Sequence, residues 1–293
     1  MNHPAELAIH QYLENAANGR SSMSDETIDT VAREVAEALK RQFGSGNKRG
    51  KFRLRMSNIG RPTCQLWFDK NKPETALPKP TTFVMNMMLG DIVEAVFKGV
   101  LKESNVAFED TDTVSLPVGD SNDTVVSGSY DLIVDGALDD VKSASDWSYR
   151  NKFESYDTLA KGDSFGYVGQ LAGYAKASGK RVGGWWVVNK ANGGIKYVPA
   201  DNLDMEVEMD KIKQTVETVN KNEFKRCFKA VPEFFRGKPT GNTVLNDGCK
   251  FCDYRHECWP NMVEEPSRMS KAKDPKIVAV SYTHLTLPTK QAV

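Results

Sequence analysis

The chain carries no excess of either charge: 39 Lys and Arg residues offset 39 Asp and Glu residues over 293 positions. A protein that grips long stretches of nucleic acid is usually basic overall, so any such contact here is expected to be a local patch. Apolar runs are short, and none approaches the length needed to span a bilayer. The segment MNHPAELAIHQYLENAANG lacks a basic start followed by an apolar run. No signal peptide is therefore expected, and a reducing cytoplasm is the expected compartment. Histidine is scarce. His3, His10 and His284 lie in terminal segments without a partner motif, and His256 is expected at the surface rather than on a metal. No internal repeat is visible. Cysteine is also scarce, with five residues, yet three of them crowd into one short run.

Hydrophobic residues make up 40% of the chain, an ordinary share that supports one large domain or two small ones. Ser24 is placed to cap a helix over DETIDTVAREVAEALKRQF, with Ile28, Val31, Val35 and Leu39 at helical spacing and Gly44 as its stop. The glycine-rich stretch GSGNKRGKFRLR follows. Its Lys48, Arg49, Lys51, Arg53 and Arg55 form either a solvated linker or a phosphate-tracking arm. Helical patterns recur in FVMNMMLGDIVEAVFKGVLKES, in YVGQLAGYAKASG, and in a long segment with Met205, Met209, Ile212, Val216 and Val219 on one face. Strands are expected over 106–118, 124–134, ALDDVKSA, GGWWVVNK and IKYVPA. Trp185 and Trp186 read as core strand residues. Residues 263–293 end in SYTHLTLPTKQAV, which fits none of these patterns and is expected to be a disordered or non-native tail.

Asp135-Gly136 is a strong two-residue hairpin signal. It pairs Val134 with Ala137, and counting outward brings Asp131 opposite Asp140. Alternation then places Asp131, Asp140 and Lys142 on one face, with Asp139 on the other. Opposed residues have Cβ atoms roughly 4.5–5.5 Å apart, so two facing carboxylates destabilise the pair. A divalent cation held by carboxylate oxygens removes that repulsion, and Lys142 then lies where it can orient a water.

Cys249, Cys252 and Cys258 sit in GCKFCDYRHECWP, about 185 residues beyond Cys64 in SNIGRPTCQLWFDK. In a reducing compartment, clustered cysteines point to a metal centre, and four thiolates suit zinc or an iron–sulfur cluster. A zinc ribbon uses two paired knuckles, which a lone Cys64 fits poorly. Cys227, in NEFKRCFKA, is expected to pack in the core as a small hydrophobe.

GSYDLIVDGALDDVKSAS resembles the core motif of the PD-(D/E)XK nuclease superfamily, with Asp131 as the first acid and Asp140-Val141-Lys142 as the (D/E)xK element. GQLAGYAKA resembles the QxxxY motif of the RecB-like branch through Gln170 and Tyr174, four apart on one helix face. Cys64 with Cys249, Cys252 and Cys258 is similar to the iron–sulfur cysteine set of the CRISPR-associated exonuclease family and the AddB nuclease domain. The resemblance spans roughly Ser57 to Pro260. It implies an α/β fold with a central mixed β-sheet flanked by helices, a restriction-endonuclease-like core, and an iron–sulfur clasp joining N- and C-terminal parts. It divides the chain into an N-terminal helical region and basic linker (1–50), a nuclease domain with the cysteine cluster (51–262), and the tail (263–293).

The same resemblance implies a Mg²⁺- or Mn²⁺-dependent DNA exonuclease acting on single-stranded ends, in recombination, repair or phage DNA processing. Asp131, Asp140 and the Val141 carbonyl would hold the ion, and a [4Fe–4S] cluster is favoured over zinc. Where the family usually offers a helix histidine, this chain has Glu94, a hard oxygen ligand compatible with the same ions. The alternatives are a non-catalytic DNA-binding or complex subunit with a nuclease fold, and a CRISPR-type spacer-processing subunit with partner proteins.

Overall fold

The structure, a computed structural model, describes residues 3–44, 51–119, 123–235, 237–250, 252–266 and 277–281. Lys48 and Arg49 of the basic arm, and most of the expected tail, lie outside the described residues. In chain order the chain begins with α1 (Pro4–Ala17), α2 (Asp25–Phe43), α3 (Met56–Ile59), α4 (Thr63–Asn71) and α5 (Thr82–Glu103). Then come β1 (Phe108–Glu109), β2 (Thr113–Val118), β3 (Thr124–Ser129), β4 (Leu132–Val134) and β5 (Ala137–Ala144). A π-turn at Ser148–Lys152 leads to α6 (Tyr156–Lys161), α7 (Tyr167–Ser178), β6 (Arg181–Asn189), β7 (Ile195–Pro199) and α8 (Met205–Lys221). The last elements are β8 (Val231–Phe235), β9 (Lys238–Val244), α9 (Asp247–Lys250), α10 (Arg255–Cys258), β10 (Met262–Pro266) and β11 (Ile277–Ser281).

Two compact units result. The first comprises Met1–Arg61 and Pro80–Lys221, and the second Pro62–Lys79 and Asn222–Val293. The span 51–262 is thus shared between two units. No helix among the described residues is long and apolar enough to cross a membrane.

The first unit is α/β, with a mixed five-stranded sheet in the order β1-β4-β5-β6-β7 flanked by helices. β5 and β6 run parallel and the other neighbours antiparallel. The parallel pair needs a crossover, and α6 and α7 supply it. Leu132, Val134, Val141 and Trp186 pack against Ala5, Ile9, Phe97, Val100 and Leu101, so α1 and α5 cover one face. α7 packs on β5 and β6 with Leu171, Ala172 and Ala175 buried. Ser24 caps α2, accepting from the Thr27 amide at 3.3 Å, and Gly179 ends α7 in the left-handed region, both as the sequence implies.

Three local expectations change. The strands expected over 106–118 and 124–134 each break in two, so that β2 and β3 form a separate ribbon while β1 and β4 join the main sheet. The buried face of α2 is rotated: Thr27 and Ala38 are buried while Ile28 and Leu39 are exposed. α2 approaches α5 at Gly99, where an added Cβ would lie 2.8 Å from Val31 and 3.3 Å from Thr27, so these two residues face inward there. In the second unit, part of the expected tail is ordered. β10 and β11 pair antiparallel in a four-stranded sheet of order β10-β11-β9-β8, because Val280 supplies a buried apolar residue.

Candidate active site

The β4–β5 hairpin turns at Asp135 and Gly136, with φ of +51° and +71°. Its ladder pairs Val134 with Ala137, Ile133 with Leu138 and Leu132 with Asp139, the register that the turn dictates. The ladder stops there. Asp131 lies in the gap between β3 and β4, and instead of a strand partner its carboxylate accepts the Val141 amide at 2.7 Å. Asp140 is buried. Lys142 Nζ lies 2.5 Å from Asp140 Oδ2, an ion pair that partly offsets the burial of this carboxylate.

These groups perturb one another. Burial, then the Asp140 charge, pushes Asp131 up to about 6, while Lys142 opposes the rise. Burial also raises Asp140, against the pull of Lys142. Burial works against the Lys142 charge, but Asp140 and Asp131 outweigh it and hold the ammonium above the usual lysine value. Glu94, on α5, is raised by burial and then by Asp131. Asp131 and Glu94 line one cavity of about 600 Å³ in the first unit, together with Lys98 and Asp110.

Four carboxylates, Glu94, Asp110, Asp131 and Asp140, share two ammoniums, Lys98 on Glu94 and Asp110 and Lys142 on Asp140. Their hard oxygens suit a divalent cation by charge and by donor type. Among the described residues, no three His, Cys, Asp or Glu side chains are already drawn together as a metal-holding group.

Gln170 and Tyr174 sit one turn apart on α7, as expected. Tyr174 is buried, and burial pushes it up to about 12 against a hydrogen bond with Gln170. Its hydroxyl feels the Asp131, Asp140 and Lys142 charges, so α7 faces the acidic side of the hairpin.

Asp139 points away from this site, as alternation requires, but it is no idle surface charge. It is fully buried and accepts from the Gly184 amide at 2.8 Å, Trp186 Nε1 at 3.0 Å and the Tyr197 hydroxyl at 2.9 Å. The β5–β6 register shifts between Leu138 and Asp140 to admit this carboxylate. Only glycine fits at 183, where a Cβ would lie 1.9 Å from Asp139 Oδ1.

Sequence reasoning missed Lys98. It is buried on α5, with Glu94 at 2.8 Å, Asp110 at 2.9 Å and Thr111 Oγ1 at 2.6 Å, and Thr111 donates to the Asp131 carbonyl at 3.0 Å. The i,i+4 spacing from Glu94 was the available signal. His3 also has unexpected partners. Its Nδ1 accepts the Ala5 amide at 3.2 Å to cap α1, and its ring packs on Trp186 and Tyr197.

All five cysteines belong to the second unit. Cys64, Cys249, Cys252 and Cys258 line one small cavity with Arg226 and Arg255. Four soft sulfurs suit a thiolate-bound centre by donor type, but without an ion, burial raises the Cys249 thiol and pushes Cys252 up to about 11, and contact with Cys227, then burial, raises Cys64. Arg226 is held there by the Cys258 carbonyl at 2.5 Å and by the Trp259 ring at 4.1 Å. Cys227 is not a core thiol: it is exposed, and its sulfur accepts the Cys64 amide at 3.1 Å. The segment around it, from Asn222, carries no regular structure, so there is no helix face to bury it.

No family model matches the chain, and no curated protein matches it. Among solved structures, one described as "Crystal structure of SSO0001" aligns with 80% of this chain and 96% of its own, at 14% identity and a TM-score of 0.41.

Proposed function

We propose that the protein is a divalent-metal-dependent phosphodiesterase that degrades DNA exonucleolytically from single-stranded ends. The observation that carries this is the convergence of Asp131, Asp140 and Lys142 beside a cavity that Glu94 also lines. In this assignment the first unit is a restriction-endonuclease-like core. Glu94, Asp131, Asp140 and the Val141 carbonyl would hold Mg²⁺ or Mn²⁺. Such an ion polarises the scissile phosphate and lowers the pKa of a water. Lys142, kept charged by its carboxylate neighbours, positions the attacking water. Gln170 and Tyr174, hydrogen-bonded to each other on α7, would orient the phosphate or the Lys142 side chain. Lys98 holds Glu94 and, through Thr111, the Asp131 backbone. In the second unit, Cys64, Cys249, Cys252 and Cys258 would hold a [4Fe–4S] cluster in a structural role.

The test is degradation of end-labelled single- and double-stranded DNA with Mn²⁺, with and without chelator, by wild type and Asp140→Ala. Chelator-sensitive loss of the single-stranded label by wild type alone is expected. Cleavage by Asp140→Ala at the wild-type rate would refute the assignment.

A further inference from the structure

We infer that Phe165 and Tyr167 form a shelf on which an unpaired base of a single-stranded nucleic acid stacks, beside Lys142. This deepens the function proposed above and rests on Lys142 belonging to the catalytic site. Three rings make a graded stack from core to surface. Phe153 is buried and lies 6.0 Å from the Tyr167 ring, with planes 23° apart. Tyr167 is half-buried and lies 5.6 Å from Phe165, with planes 13° apart. Phe165 is 54% exposed, so the stack ends at an open aromatic surface. Burying its inner rings leaves the outer one without a protein partner for much of its area.

Cations line the same stack. Lys152 Nζ is 4.5 Å from the Tyr167 centroid and 4.7 Å from that of Phe165. Lys142 Nζ, paired with Asp140, is 5.0 Å from the Tyr167 centroid. One ammonium therefore touches both the acidic site and the shelf. Aromatic rings flanked by cations match a single strand, which offers flat bases and phosphates in alternation. A duplex keeps its base faces covered by neighbours.

The loop that presents Phe165 is built to stay in place. Asp163 accepts three backbone amides, from Gly166 and Tyr167 at 3.0 Å and from Val168 at 2.9 Å. Gly166 has φ of +78°, and a Cβ there would meet the Gly60 backbone at 2.5 Å. An exposed ring in a mobile loop would lose more freedom on binding; this one is ordered beforehand.

The experiment uses the full chain in chelator, so that nothing is cut. The probe is a ten-nucleotide single strand carrying 2-aminopurine near one end, whose fluorescence falls on stacking, alongside a blunt duplex of the same sequence. Phe165→Ala is expected to weaken single-strand binding by about 5- to 160-fold and to abolish the quench, with duplex binding unchanged. Phe165→Leu, which keeps apolar area but no π-face, should behave like Phe165→Ala, and Phe165→Trp like wild type. Wild-type affinity in Phe165→Ala or Phe165→Leu, or no quench with wild type, overturns the shelf. If the shelf results hold but Mn²⁺ yields no cleavage, the nuclease assignment fails and the shelf stands. If cleavage depends on Asp140 but binding ignores Phe165, the reverse is true.

Discussion

Replacing Asp139 with alanine tests whether the buried carboxylate or the catalytic face limits this fold. Alternation alone treats Asp139 as a silent control because it points away from Asp131 and Asp140. Its surroundings say otherwise. Alanine strands two buried donors, from Gly184 and Trp186, and the half-buried Tyr197 hydroxyl. Each orphaned donor costs about 1–3 kcal/mol, so about 3–6 kcal/mol is at stake once partial access to water is allowed.

Against this, the wild-type carboxylate carries a burial penalty. Burial raises Asp139 from the usual 3.8 to about 6, despite its three hydrogen bonds. That shift costs about 3 kcal/mol where Asp139 is ionised in both states. The sign follows from proton binding. Between these two values the folded state holds a proton that the unfolded state has released. This group's contribution is therefore most favourable below the unfolded value and declines as pH rises through the folded one. The variant lacks this decline. The gap between wild type and Asp139→Ala should be wider at pH 4.5 than at pH 8, by about 2 kcal/mol. Urea unfolding in chelator, followed by far-ultraviolet circular dichroism at both pH values, measures it. A variant as stable as wild type at pH 4.5, or a gap that ignores pH, would refute the reasoning. Under the proposed nuclease assignment, Asp139→Ala should still cleave DNA at low temperature, since it does not touch the proposed catalytic face.

Asp131→Ala and Lys142→Ala should each lower cleavage by at least about 100-fold while keeping a cooperative unfolding transition; a smaller loss in either steady-state rate would remove that residue from the mechanism. Glu94→Ala should raise the Mn²⁺ concentration needed for half-maximal cleavage more than Glu94→His does, because histidine restores a ligand; unchanged titrations in both would show that Glu94 is no ligand. Anaerobically purified wild type should be brown with about four irons per chain, and Cys64→Ser should be bleached with a lower Tm. Cys227→Ser should keep its iron, because Cys227 does not line the cavity that the other four share, and its contacts with the Cys64 amide and thiol are ones a serine oxygen also makes. Iron loss in Cys227→Ser would place Cys227 among the ligands.

Much of the architecture could be read from local chemistry. Asp135-Gly136 determined a hairpin and its register, because a two-residue turn with both φ values positive allows one pairing of the flanking strands. Period-two alternation then separated Asp139 from Asp140, and helical period placed Gln170 with Tyr174 and aligned Ile212, Val216 and Val219 as a buried face. What stayed illegible depends on groups that are remote in sequence. Where a carboxylate points follows from alternation, but whether it meets water or three donors depends on β6 and β7, some 45 to 58 residues away from Asp139. The buried face of α2 follows its approach to Gly99 on α5, which turns Thr27 and Val31 inward and leaves Ile28 and Leu39 exposed. Cys227 looked apolar by type, yet only the chain path from Asn222 onward puts its sulfur on the Cys64 amide. The aromatic stack from Phe153 to Phe165 carries no periodic signal at all, because a bend and a π-turn, rather than one helix or strand, bring its rings together. Sequence determined which residues repeat along an element, since that is a property of backbone geometry. Tertiary structure decided what each of them faces, since burial, charge coupling and close approach are properties of the neighbours.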